Sequence, residues 1–156
     1  MTGASQEEAF NRAVKFLSYQ ARSEAEVRAK LAQRGFPRGT VEGTLHKLRS
    51  LNLLNDGNFA RARALSRVEG RGYGPLRVER ELRQKGIAPS LIAEILDETL
   101  NRQQGKERAK QLLEKRFRGR DLGDAKVFRR AAAFLQRRGY RDSVIAEILK
   151  QPLGDE

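Results

Sequence analysis

A six-residue phrase occurs three times in this chain and constrains the fold more than any other feature. Leu31-Ala32-Gln33-Arg34-Gly35-Phe36 returns as Leu82-Arg83-Gln84-Lys85-Gly86-Ile87 and as Leu135-Gln136-Arg137-Arg138-Gly139-Tyr140. Each copy reads leucine, two further residues, a basic residue, glycine and a large apolar side chain. The glycines stand 51 and 53 residues apart. The stretch after each glycine repeats too: Val41 to Leu45, Ile92 to Leu96 and Ile145 to Leu149 hold matching places. Self-similarity at a fixed period of this length marks a tandem array, in which one small unit is copied and each copy packs on its neighbours.

Within each period the apolar spacing is helical. Phe10, Val14 and Leu17 at i, i+4 and i+7 predict a helix over about residues 7–21 with those side chains as its buried stripe. Ser23-Glu24-Ala25-Glu26 has the capping-box pattern: a hydroxyl for the free amides of a first turn and a Glu three residues on that reaches back. A second helix therefore starts there and buries Val27 and Leu31. Gly35 directly after Arg34 suits the left-handed residue that closes a helix, with a cation near the negative end of its dipole, and the same ending is predicted at Gly86 and Gly139. After Pro37 a third helix carries Val41, Leu45 and Leu48, weakened by Gly39 and Gly43.

In the second period Asp56 is the candidate cap of a helix bearing Phe59, Ala62 and Leu65, and Gly70 to Gly74 breaks it. Pro75 lacks the amide that a first turn leaves unbonded and opens a helix to Lys85. The third period predicts helices near 105–117, 124–138 and 142–150. No stretch alternates with period two, so the expected fold class is all-α: three tandem three-helix repeats, residues 1–54, 55–104 and 105–156, in an elongated array that can curve. Phe36, Ile87 and Tyr140, at equivalent places, are read as core.

Charge narrows the function. There are 32 Lys and Arg against 20 Asp and Glu, a formal charge of +12, which is the footprint of a surface that meets DNA, RNA or an acidic protein face. Residues 105–156 are the most basic third. Cysteine is absent, which excludes disulfides, thiolate nucleophiles and Cys-based metal sites. No apolar run approaches the roughly 20 residues that span a bilayer, and the first ten residues lack a basic-then-apolar signal pattern. A cytoplasmic protein without a membrane partner is expected.

Several motifs occur in an order that is itself informative. Leu53-Leu54-Asn55-Asp56-Gly57-Asn58-Phe59-Ala60, then Gly72-Tyr73-Gly74-Pro75-Leu76-Arg77-Val78-Glu79-Arg80-Glu81-Leu82, then Lys85-Gly86-Ile87, resembles the RecX family of bacterial recombination regulators. Arg22-Ser23-Glu24, Glu26, Lys30-Leu31 and Arg34-Gly35-Phe36 fit the same family. The likeness covers nearly the whole chain and departs from the usual wording at Asn52, where a Gly often precedes the leucine pair. The resemblance implies three tandem three-helix repeats. It also implies binding to the RecA recombinase assembled on single-stranded DNA, in the groove of the filament, with inhibition of filament extension, ATP hydrolysis, strand exchange and LexA co-cleavage. The partners so implied are the RecA nucleoprotein filament and single-stranded or double-stranded DNA; a monomer is expected.

For the surfaces that carry such contacts the sequence offers stripes. Arg63, Arg67 and Arg71 fall at i, i+4 and i+8; Lys126, Arg130 and Arg137 share another face; Arg12, Lys15, Tyr19 and Arg22 share a third, where the aromatic could stack on a base. Rows of this kind meet phosphates without reading base sequence. In a chain that is one-fifth Lys and Arg some helix face must be basic, so the plainer reading of each stripe is solvated surface. Glu26 with Lys30 and Arg77 with Glu81 are candidate i, i+4 pairs. Arg77 is read either as a partner contact or as an ion pair that fixes its helix, and Tyr73 as packing. His46, the single histidine, has no triad or metal-site company, and the adjacent carboxylates Glu7-Glu8 and Asp97-Glu98 face different ways on a helix. No catalytic residue, metal ligand or cofactor is expected. The competing function is a helical DNA-binding protein, sequence-specific or not, that acts without RecA.

Overall fold

Short-range chemistry sets where the helices start and stop. In the computed structural model, which describes residues 2–154 and the side chains of residues 5–150, the order is α1 (Thr2–Tyr19), α2 (Glu24–Gln33), α3 (Arg38–Ser50), α4 (Asp56–Leu65), α5 (Pro75–Gln84), α6 (Pro89–Thr99), α7 (Arg102–Arg116), α8 (Ala125–Arg138) and α9 (Asp142–Gly154). A π turn over Ser66–Gly70 continues α4. No strand occurs among the described residues. Three consecutive helices make one unit, and the fold is three such units in tandem.

The capping box forms as its sequence requires: the Ser23 hydroxyl accepts from the Glu26 amide at 3.1 Å and the Glu26 carboxylate accepts from the Ser23 amide at 3.0 Å. Asn101 and Gln104 build a second box at the start of α7. The cap of α4 is Asn55, whose side chain accepts from the Asn58 amide at 3.0 Å, and not Asp56. The Asp56 carboxylate accepts instead from the Glu24 amide at 2.8 Å and so serves the start of α2 in the neighbouring unit.

The repeated phrase closes the middle helix of each unit in one way. Gly35, Gly86 and Gly139 have φ of +90°, +80° and +95°. Each glycine amide donates three residues back and the following amide five residues back, Phe36 to Leu31, Ile87 to Leu82 and Tyr140 to Leu135. This is the Schellman arrangement, and its apolar side chain folds over the helix end. Ile87 and Tyr140 are buried there, while Phe36 is half-buried.

Each unit has its own core. One contains Ala9, Ala13, Val27, Leu31, Leu45 and Leu48; the next Phe59, Ala60, Ala64, Val68, Val78, Leu82 and Ile95; the third Ala109, Leu113, Phe134, Leu135, Tyr140 and Ile148. Two buried stripes differ from expectation. In α1 the fully covered residues are Ala9 and Ala13, Phe10 and Leu17 lie at the edge of the core, and Val14 is 38% exposed. In α4 Ala60 and Ala64 are buried with Phe59, whereas Ala62 and Leu65 face solvent. In both helices small residues take the contact line, where a Cβ alone lets a neighbouring helix approach closely.

The units meet end to end through their middle helices. At the first joint the Ser23 hydroxyl donates to the Lys85 carbonyl at 2.6 Å and the Lys85 ammonium lies 3.0 Å from Glu26. Glu26 is therefore not paired with Lys30, which sits 5.3 Å over the Phe16 ring. Burial works against the Glu26 charge, but the Ser23 amide, Lys85 and Arg22 together hold its carboxyl below the usual range. At the second joint the Gly74 amide donates to the Arg138 carbonyl at 2.6 Å and the Leu76 amide to the Gly139 carbonyl at 2.9 Å. Thus α8, α5 and α2 stack head to tail. Donors at each start, the Ser23 hydroxyl in the first joint and the Gly74 and Leu76 amides in the second, satisfy free carbonyls of the next end, with helix dipoles in line.

Candidate polyanion interface

The second joint also gathers a dense group of basic side chains. Gly74 has no side chain to cap α5, so the cap is the carbonyl end of α8, and the fit is close: a Cβ on Gly74 would lie 2.7 Å from the Gly139 backbone. Arg77 stacks 4.0 Å over the Tyr73 ring and donates to the Arg137 carbonyl at 2.9 Å. Arg138 donates to the Arg71 carbonyl, and the Tyr140 hydroxyl to the Gly72 carbonyl at 3.3 Å. Burial pushes the Tyr140 hydroxyl up to about 12, against the pull of Arg108 and Arg138, so it stays protonated and a donor.

Beside this joint lies an open cleft of about 980 Å³. Its lining includes the π turn with Arg71, then Tyr73 and Arg77, then Arg108, Lys115 and Arg116 from α7 and Arg138 from α8. One carboxylate reaches it, Glu69, and that is 3.4 Å from Arg108. Arg116 and Phe134 form a ridge shared with a smaller pocket of about 300 Å³, lined by Arg116, Arg120, Arg130 and Arg137 over Phe117 and Phe134. No carboxylate lines this second pocket. The two rings pack edge to face at 5.9 Å, and the Arg116 and Arg138 guanidinium groups lie 5.2 and 5.0 Å from the Phe134 centroid. Guanidinium forks over an apolar floor can grip phosphate or carboxylate oxygens and stack against flat groups, with no donor pattern that selects a base.

The structure divides the predicted stripes. Arg63 and Arg67 turn inward and clamp Glu81 at 3.1 and 2.9 Å, each about 20% exposed. Arg71 leaves their line because the π turn adds residues to that turn of helix, and it stands exposed in the cleft. With Glu81 taken, Arg77 makes the joint contacts instead of an i, i+4 pair. Arg130 and Arg137 meet in the small pocket, and Lys126 is exposed on the same helix outside it. Arg12 and Lys15 are exposed on α1 with Tyr19. Arg22 does not join them, since the helix ends at Tyr19; it lies 4.4 Å over the Phe16 ring and 3.8 Å from Glu26.

The stripes omit Arg108, Lys115, Arg116, Arg120 and Arg138, because the cleft and pocket are assembled from the π turn, α5, α7 and α8 together. Arg116-Phe117-Arg118-Gly119-Arg120, arginines interleaved with an aromatic between two helices, is the one local signal for part of it. His46 is exposed, no group of three or more potential metal-ligating side chains occurs among the described residues, and no helix there is long and apolar enough to cross a membrane.

Comparison with known proteins gives the arrangement a family. Residues 9–48, 55–96 and 103–149 match the first, second and third three-helix domains of RecX. The regulatory protein RecX of Bacillus velezensis is 38% identical over 143 residues, which is 92% of this chain and 54% of that protein, so the chain spans about half of that relative's length. The RecX of Halorhodospira halophila is 38% identical over 138 residues, covering 88% of this chain and 84% of its own. The crystal structure of RecX from Lactobacillus salivarius shares the fold at a TM-score of 0.84 and 23% identity, covering 96% of this chain and 97% of that one. With all three units matched in order, the chain belongs to the RecX family of regulatory proteins.

Proposed function

We propose that this protein is a non-enzymatic negative regulator of RecA that lodges in the groove of RecA filaments on single-stranded DNA and restrains their extension, ATP hydrolysis, strand exchange and stimulation of LexA cleavage. Family membership supports the regulatory role. The observation that carries the molecular part is the basic cleft and pocket at the second joint, where cations from two units converge and the only carboxylate is already paired. A groove in a nucleoprotein filament offers phosphates and acidic side chains together, and an end-to-end chain of units suits contact with successive subunits. We further infer that Arg71, Arg116, Arg120, Arg130 and Arg137 make such contacts, that Arg63 and Arg67 act within the fold, and that the repeats divide near residue 54 and near residue 101, before α7, rather than at 104.

The test is RecA ATPase on single-stranded DNA with this protein added below one molecule per RecA, at two salt concentrations. Inhibition that persists at the higher salt supports filament binding, because simple competition for DNA phosphates weakens steeply with salt. Tight DNA binding without inhibition would transfer the assignment to a DNA-binding protein that acts without RecA.

A further inference from the structure

The three middle helices end alike, yet only two of the ends are covered. Lys85-Gly86 receives the start of α2, and a Cβ on Gly86 would run into the Ala25 Cβ. Arg138-Gly139 receives the start of α5, and a Cβ on Gly139 would lie 2.6 Å from the Arg77 nitrogen. At Gly35 the same Schellman turn, with φ of +90°, has nothing within 4 Å of the Cβ position among the described residues. In the covered ends the carbonyls left over by the turn accept from the incoming helix: that of Lys85 in one joint, those of Arg137, Arg138 and Gly139 in the other.

We propose that the open end of α2, Arg34-Gly35-Phe36, is a docking site for the start of a helix in a partner protein. The chain itself supplies the specification of that partner. At the first joint the incoming helix begins Ser23-Glu24-Ala25-Glu26: a hydroxyl cap for a carbonyl, a small residue above the glycine, and a Glu for the cation that precedes the glycine. Arg34 occupies the place of Lys85 and is exposed. A groove alongside, lined by Arg28, Phe36, Arg38 and Glu42, adds the positive charge of Arg38, since Arg28 and Glu42 are paired at 2.8 Å. The site therefore selects a Ser or Thr cap, a small second residue and a Glu at the third position. A second copy of this chain is a poor occupant. Its own Ser23–Glu26 turn is already seated on Lys85, and the remaining free start in the column, that of α8, reads Asp124-Ala125-Lys126-Val127, which would set the long Lys126 side chain over Gly35 where the small Ala25 sits in the first joint, and would offer Val127 instead of a Glu to Arg34.

The probe is a synthetic peptide of residues 19–35, which carries the Ser-Glu-Ala-Glu start, titrated into the full isotope-labelled protein while amide shifts are followed by NMR. Saturable shifts confined to residues 33–38 are expected, at affinities of about millimolar for so small a contact. They should weaken at least about tenfold when the peptide carries Ser23→Ala with Glu26→Lys, or when the protein carries Gly35→Asn. Asn tolerates the left-handed backbone, so Gly35→Asn leaves the helix end intact while it fills the open space. No saturable shift, shifts centred on the cleft at the second joint, or shifts indifferent to Gly35→Asn would each overturn the proposal. Shifts at residues 33–38 that grow with the concentration of the peptide-free protein would overturn the choice of occupant in favour of self-association.

Discussion

Replacing Gly139 and Gly35 by Ala, one at a time, separates what a left-handed glycine does for its own helix from what it does for the neighbouring unit. The two positions have nearly the same backbone, φ of +95° and +90°, so an added Cβ costs about 1–2 kcal/mol of conformational strain at either. At Gly35 the new methyl enters open space and nothing further is lost. At Gly139 it meets the Arg77 nitrogen and Cβ, atoms fixed by the first turn of α5, which no side-chain rotation can clear. The joint must part. That releases the hydrogen bonds from Gly74 to Arg138, Leu76 to Gly139 and Arg77 to Arg137, each about 0.5–1.5 kcal/mol net. The expected cost is about 3–6 kcal/mol for Gly139→Ala against about 1–2 for Gly35→Ala. Because the units have separate cores, the sharper readout is amide hydrogen exchange at Gly74 and Leu76: with the three bonds released, protection should fall about 10- to 2,000-fold in Gly139→Ala and stay unchanged in Gly35→Ala. Equal destabilisation by the two substitutions, with both amides still protected, would refute the view that the glycine admits the neighbouring helix.

Glu81 gives a pH signature. Burial opposes its charge, but Arg67 and then Arg63 overcome that and hold the carboxyl below its ordinary 4.5. The stabilisation is complete above that ordinary value and is lost as pH falls through the depressed one, so Glu81→Gln should cost about 1–2 kcal/mol near neutrality in urea unfolding and flatten the acid side of the stability profile. Charge reversal at Arg63 and Arg67 should lower Tm because it places three carboxylates together, whereas Arg71→Glu should leave Tm unchanged and reduce RecA inhibition; the opposite pattern would move the partner contact back to the clamp. Gly86→Val should unfold the second unit or detach it from the first, seen as a lower Tm by circular dichroism, and a wild-type Tm would refute its left-handed, close-packed assignment. Arg116, Arg120, Arg130 and Arg137 changed singly to Ala should each reduce the salt slope of single-stranded DNA binding by about one, and an unaltered slope would remove that pocket from the DNA contact.

What could be read from the sequence was chemistry that acts within a few residues. The Ser23 box, the Pro75 start and the three glycine endings each concern a single helix end, where side chain or backbone freedom decides the outcome locally. The repeat then carried those local features to the whole architecture. The buried stripes of α1 and α4 were harder, because Ala9, Ala13, Ala60 and Ala64 are buried for their smallness, and a search for large apolar residues selects Val14 and Leu65 instead. The site was least legible. Arg63 and Arg67 look like free cations until Glu81, 18 and 14 residues away in sequence, is brought against them. The cleft unites Arg71 with Arg116 and Arg138, residues that no helical periodicity relates.

The head-to-tail column has a mechanical consequence. No apolar cluster runs from one unit into the next, and the polar contacts that cross the second joint are the Glu69–Arg108 pair and a handful of hydrogen bonds, three of them to consecutive carbonyls at one helix tip. Stiffness is thus concentrated inside the units and compliance at two points along the molecule. A few degrees of bending there stretches short polar contacts without opening a core.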